Sequence, residues 1–318
     1  MKRLVLRSLY VVALVRYPKL RDDLRFFMRD NYFSRLAQTK FFFKDYLKKK
    51  KYKVIKYQGE FDQELRYVLP FAYWHFLNGT LDKTISSKDT KELYFFSENH
   101  EERYQKRVWN ETYMHYDVPN MTHSLTFSYK KWAQVPYKAH FANNIFKYEK
   151  PILVIANKYN IEWDQPPINF LDIPTLDKIV SKYKDKYQII YNRPLSNQIV
   201  LDNSEVLDLN EYPWFKEKHP EVILMNDLYE KYKGSVVNNF NHLQLMVYAN
   251  SNRFVSIHGG TAILASYFGG TNIILSDPNW GMEYPFKEYS TIMPRLSGAK
   301  ILHAKNKGEV LEHVFNNY

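Results

Sequence analysis

The six residues Ser256-Ile257-His258-Gly259-Gly260-Thr261 join an apolar run to a second, helix-periodic apolar stretch, Ala262 to Phe268. Two glycines between a strand and a helix let the backbone approach a ligand closely. The helix that follows aims its unpaired N–H groups at an anion such as a phosphate. Thr261 can cap that helix or donate to the same anion. His258, leaving the strand edge, could donate to a diphosphate. An ordinary strand–helix turn accounts for the glycines equally well, since turn geometry alone favours them. Neither the Gly-Lys-Ser/Thr ending of a Walker loop nor the G-x-G-x-x-G dinucleotide fingerprint is present. The chain has no cysteine, which excludes a disulfide scaffold, thiolate metal sites, iron–sulfur clusters and a cysteine nucleophile.

The elements that must position these residues alternate. From Pro151 onward, apolar runs at Ile152–Ile155, Tyr187–Tyr191, Val222–Met225, Arg253–Ile257 and Thr271–Leu275 are separated by helical patterns at about 174–185, 242–249 and 262–268. Strands alternating with helices at this spacing predict a parallel, doubly wound sheet that binds ligands at the carboxyl edges of its strands. Asn157-Lys158, Asn192-Arg193 and Asn226-Asp227 stand just past three such edges. Upstream, the pattern predicts a strand at Lys53–Tyr57, the acidic stretch Gly59-Glu60-Phe61-Asp62-Gln63-Glu64, a helix from Leu65 to Leu77 and a second strand at Leu93–Phe96. Residues 98–150 are polar, aromatic and irregular. A C-terminal helix, Lys307 to Phe315, is expected to pack back across the boundary between the two halves. The division implied is a basic helical region 1–56, a domain 57–145 and a Rossmann-like domain 146–318.

The run SIHGGTAILASYFGGTNIILSDP resembles the nucleotide-sugar-binding segment of GT-B-fold glycosyltransferases, in which a strand, a His-Gly-Gly turn, a helix, a glycine and another strand form the donor site. The resemblance follows the element order over roughly 151–303 and is motif-level across 253–285. It implies an α/β protein of two facing Rossmann-like domains (GT-B) with catalysis in the cleft between them, a nucleotide-sugar as co-substrate, and neither a cofactor nor a bound metal. Donor contacts would then come from His258, Gly259, Gly260, Thr261, Asn192, Arg193, Asn157, Lys158, Asn226 and Asp227. A guanidinium at 193 suits a diphosphate leaving group. Many family members carry a Glu on the helix after the glycines; this chain has Leu264-Ala265-Ser266 there, and Glu283 is the nearest acid to replace it. The Gly59–Glu64 stretch resembles the first strand–helix loop of the family, which makes Asp62 the first and Glu60 the second candidate for the base of an inverting transfer. A helix N-terminus favours acids regardless of function, and His100, His115 and His123 are further candidate bases.

The charge is unevenly placed. The chain has 45 Lys and Arg against 34 Asp and Glu, yet residues 1–56 hold 17 of the former and 4 of the latter, leaving 28 against 30 for residues 57–318. Cations interleaved with Phe26, Phe27, Phe33 and Phe41 to Phe43, and ending in Lys48 to Lys51, suit an anionic membrane surface. Amphipathic helices packed on their own domain with solvated lysine faces would have the same composition. The near-neutral remainder disfavours nucleic acid, whose binding groove normally continues across the fold. No apolar run approaches the roughly 20 residues of a membrane span. The expectation is a cytoplasmic, peripheral enzyme at the inner membrane face, moving a sugar to a surface polysaccharide or glycolipid acceptor. A polysaccharide pyruvyltransferase, a sugar-nucleotide epimerase and a non-catalytic membrane- or nucleic-acid-binding protein are the alternatives.

Overall fold

The apolar runs of the second half form strands buried on both faces, as a parallel sheet covered by helices requires. A computed structural model describes residues 2–16, 26–108, 117–118, 130–162, 164–200, 204–277 and 284–318. The N-terminal half opens with α1 (Lys2–Arg16) and α2 (Phe26–Phe42), the latter running on into a π-helical turn at Phe43–Lys48. There follow β1 (Lys53–Lys56), α3 (Phe61–Gln63), a second π-helical turn (Glu64–Val68), α4 (Leu69–Leu77), β2 (Leu81–Ser87), β3 (His100–Tyr104) and α5 (Tyr137–His140). Pro70 explains the second π-turn: it has no N–H for the Arg66 carbonyl and its ring crowds that oxygen, so the helical ladder widens just before it.

Strands β1, β2 and β3 form a three-stranded parallel sheet in that order. Two expectations fail here. The sheet begins at Lys53, inside the stretch assigned to the basic region, because Val54, Ile55 and Lys56 pair with Lys83, Thr84 and Ile85. Leu93–Phe96 is not a strand; Lys91–Tyr94 is a 3₁₀ turn started by the Leu93 N–H donating to the Thr90 carbonyl at 2.9 Å. A short buried apolar run looks the same in either conformation. The true second strand is concealed by the buried polar residues Thr84, Ser86 and Ser87, of which the first two are bonded: the Thr84 hydroxyl lies 2.8 Å from both Ser97 Oγ and His100 Nδ1, and the Ser86 hydroxyl donates to Glu64.

The second half contains β4 (Ile152–Ala156), β5 (Asn160–Glu162), α6 (Ile173–Tyr183), β6 (Gln188–Asn192), β7 (Ser204–Val206), α7 (Glu211–Lys218), β8 (Ile223–Leu224), α8 (Met225–Tyr232) and α9 (Phe240–Ala249). It continues with β9 (Ser251–Ile257), α10 (Gly260–Ser266), β10 (Thr271–Leu275), α11 (Tyr284–Ser297), β11 (Lys300–Ala304) and α12 (Lys307–Asn317). Six strands form a parallel sheet in the order β11-β10-β9-β4-β6-β8, while β5 and β7 make a small antiparallel ribbon. The carboxyl edges of the two parallel sheets are turned toward each other. This is the α/β architecture of two facing Rossmann-like units. The terminal helix α12 departs from expectation: it packs on α6, β10 and β11 within its own half, where the Tyr183 hydroxyl donates to the Val314 carbonyl at 3.0 Å.

One apolar core crosses between the halves. It joins Ile55, Leu65, Phe71 and Tyr94 to Tyr137, Ala262, Tyr267, Phe268 and Met293, while a second core of Leu153, Ile155, Ile179, Tyr191 and Val310 fills the far side of the large sheet. Polar bonds tie the same interface. Tyr267 donates its hydroxyl proton to the Leu65 carbonyl at 2.6 Å, and Lys138 donates to the Ser251 and Phe268 carbonyls, each at 2.8 Å. Glu92 accepts from Asn238 at 2.8 Å and from Asn239 at 2.7 Å.

Candidate active site

The chain lays down β4, moves outward to β6 and β8, then returns to place β9 on the other side of β4. The β4–β9 boundary is therefore the switch point of the sheet, the place where a crevice opens outside the strand ends in such folds. Lys158 follows β4 and His258-Gly259-Gly260 follow β9, so both meet at this boundary. A Cβ built on Gly259 would lie 3.8 Å from the Lys158 ammonium nitrogen. Gly259 has φ +105°, a conformation that a side chain would strain. At Gly260 a Cβ would come within 2.9 Å of the Phe61 ring and 3.7 Å of the Asp62 backbone nitrogen. The His-Gly-Gly turn of one half therefore faces the first helical turn of the other. Asn272 on β10 holds α10 in place, its Nδ2 donating at 3.0 Å both to the Ala262 carbonyl and to Ser266 Oγ.

Around Asp62 lies a buried ionic group. Asp62 Oδ2 accepts from Arg66 Nη2 at 2.8 Å, and Arg66 also pairs with Glu288 of α11. Tyr67 donates its hydroxyl proton to Glu288 Oε1 at 3.1 Å. Asp62 Oδ1 and Arg66 Nε are buried with no hydrogen-bond partner among the described residues. Buried polar atoms are nearly always bonded, because leaving them bare costs the desolvation without return. Asn192 Oδ1 and Asn226 Oδ1, at two strand edges of the large sheet, are in the same state. Burial raises the Glu288 carboxyl above its ordinary range, with Arg66 opposing the shift and Asp62 adding to it. Burial, helped by the Lys158 charge, pushes His258 down to about 3, so its imidazole is neutral near pH 7. One ring nitrogen, Nδ1, is hydrogen-bonded to the Tyr289 hydroxyl. Lys158 itself pairs with Glu162 at 2.6 Å.

The loop that carries Asp62 is shaped from beneath by Arg107. Its guanidinium donates to the Gly59 carbonyl at 2.9 Å and to Glu64 Oε2 at 2.6 Å, and lies 4.9 Å from the Phe61 ring centroid. Glu64 also accepts from the Tyr94 hydroxyl at 2.7 Å and from Ser86.

The structure brings together Asp62, Lys158, His258, Gly259 and Gly260 from the expected set, with the half-buried Thr261 in the first turn of α10. Glu60 sits at the N-cap of α3 and accepts from Gln63 Nε2 at 3.2 Å. The remaining strand-edge residues make bonds elsewhere, although Asn192 Oδ1 and Asn226 Oδ1 stay without a partner among the described residues. Asn157 bonds the Leu171 backbone in both directions at 2.9 Å and Tyr191 at 3.0 Å. Asn192 donates to Gln244 at 2.9 Å and to Tyr248 at 2.6 Å. Arg193, 2% exposed, is spent on a buried ion pair with Glu211 and on the Leu207 carbonyl at 3.0 Å, with Tyr212 against its guanidinium. It presents no donor to the cleft in this arrangement. Asn226 donates to the Arg193 carbonyl at 3.4 Å, and the exposed Asp227 pairs with Lys216 at 3.3 Å. His100 stacks on Tyr94 inside the N-terminal sheet, where burial lowers its pKa. Glu283, His115 and His123 lie outside the described residues. Sequence reasoning missed Arg66, Glu288 and Tyr289. The spacing of Asp62 and Arg66, four apart on a helix, was a readable signal for the first; nothing local marked the other two.

No protein-family model and no curated protein sequence matches this chain. Among solved structures, E. coli ADP-heptose LPS heptosyltransferase II is similar at a TM-score of 0.43 and 8% identity, over 83% of this chain and 97% of that one. A likeness of that size says nothing about the reaction.

Proposed function

We propose that the chain is a glycosyltransferase that moves a sugar from a nucleoside-diphosphate sugar to a hydroxyl of a glycan or lipid-linked acceptor. The observation that carries this reading is the buried Asp62 Oδ1, without a partner among the described residues, on the helical turn that faces His258-Gly259-Gly260 at the switch point of the large sheet. The donor diphosphate lies along the Gly259-Gly260 backbone beside Lys158, and the neutral His258 donates one N–H to a phosphate oxygen. Asp62 Oδ1 takes the proton of the acceptor hydroxyl as that oxygen attacks the anomeric carbon. The bond from that carbon to the diphosphate breaks, the nucleoside diphosphate leaves with the electron pair, and Lys158 counters its charge without a metal. One displacement inverts the configuration at the sugar.

A thermal-shift screen against nucleoside diphosphates, their sugars and phosphoenolpyruvate tests the reading, because a ligand that binds the folded state raises the melting temperature by mass action. A nucleotide-sugar is expected to stabilise the chain. With that donor, Asp62→Asn should lower kcat about a hundredfold or more with little change in donor KM. Stabilisation by phosphoenolpyruvate alone, or full activity in Asp62→Asn, would reject the assignment.

A further inference from the structure

Between Asn31 and Lys56 the sequence holds nine Lys and Arg but a single acid, Asp45. The fold takes that acid off the surface. Asp45 is fully buried, its carboxylate held by the Lys131 ammonium and the Tyr52 hydroxyl, and its carbonyl accepts from Asn78 Nδ2 at 2.6 Å. The π-turn at Phe43–Lys48 that points Asp45 inward leaves apolar side chains outward. Phe43 is 61% and Leu47 64% exposed, and Phe42 packs on Tyr46 with ring centroids 5.0 Å apart. Exposed Lys40, Lys44, Lys48, Lys49 and Lys50 surround them, and Lys51 beyond pairs with Glu98.

We propose that this end of α2 docks on the surface of an anionic phospholipid bilayer. Phe42, Phe43, Tyr46 and Leu47 enter the headgroup region while the lysines meet lipid phosphate and carboxylate groups. Two observations select lipid over nucleic acid. Leu47 and the exposed Leu36 have no ring face on which a base could stack. The positive excess also ends with the N-terminal region, since residues 57–318 carry 28 Lys and Arg against 30 Asp and Glu. Among the described residues no helix is long and apolar enough to cross a membrane, so the contact is with the surface. The Asp45 pairings fix the turn before contact, which reduces the ordering cost of binding.

Sedimentation of the full chain with vesicles tests this, and the assay contains no sugar donor, so its outcome is independent of the chemistry in the cleft. The chain should bind phosphatidylcholine vesicles that contain one third phosphatidylserine, and not phosphatidylcholine alone. Phe43→Ser with Leu47→Ser should weaken binding about tenfold or more, and Lys48→Gln, Lys49→Gln, Lys50→Gln together about a hundredfold. Both variants change exposed positions and should melt as the parent does, which separates lost docking from lost folding. Equal binding to both vesicle types, or undiminished binding by the Phe43 and Leu47 double variant, overturns the proposal. Tight binding to a single-stranded oligonucleotide that displaces the vesicles assigns the patch to nucleic acid and also overturns it.

Discussion

Lys158 and Arg193 both stand within two residues of a parallel strand end, and their ion pairs differ in burial. Arg193 neutralises Glu211 in a site closed to water. Removing it by Arg193→Ala leaves a buried carboxylate without its cation, held only by the Tyr191 hydroxyl at 3.2 Å, and should cost about 3–5 kcal/mol in a denaturant titration, while a donor would bind the surviving folded protein with little change. Lys158 forms a partly exposed pair with Glu162. Lys158→Ala should alter stability by no more than about 1 kcal/mol and instead raise donor KM. If the two variants exchange these effects, the cleft has been assigned to the wrong strand edge. Residue type and a place after a strand were legible in the sequence for both. The partner was not, because Glu211 enters from a helix 18 positions away.

At the scale of elements, what was legible followed burial. The central strands of the large sheet each carry a run of buried apolar residues, so β4, β6, β9 and β10 fall within a residue or two of expectation. The strand β2 escaped because its buried positions include Thr84 and Ser86, which satisfy their hydroxyls internally, and no apolar pattern records such bonds. The helix α11, which supplies Glu288, escaped because it carries Pro294 in its interior. The glycines divide by cause. Gly270 has φ +68°, and a Cβ there would overlap the Asn252 backbone; Gly270→Ala should destabilise by about 2 kcal/mol or more. Gly259 has free space beside it apart from Lys158, so Gly259→Ala should melt closer to the parent while losing donor affinity. Thermal melts of both variants, with and without a stabilising nucleotide, check the contrast.

At the scale of the whole molecule, charge partition was legible by counting, whereas the union of the halves was not, since Leu65 and Tyr267 are 202 positions apart. Acid should expose one cost of the packing. His75 is fully buried against Thr80, and burial, then the Lys53 and Lys131 charges, lower its pKa to about 2. The unfolded chain protonates the same ring near pH 6.5. Below that pH the unfolded state binds the extra proton, so stability falls as pH falls, by roughly 2–3 kcal/mol between pH 6.5 and 4.5 from this group alone. His258 acts in the same direction. His75→Gln should flatten the dependence by about that amount in denaturant titrations at the two pH values; parallel curves would contradict it. The core that crosses both sheets has a consequence for the chain as a gene product. Cut at the exposed Glu149–Lys150 bond, each fragment would carry half of a shared interior, with Leu65 and Phe71 bare on one piece and Tyr267 and Phe268 bare on the other. Expressed alone, the pieces should aggregate; expressed together, they should reassemble and purify as a non-covalent pair.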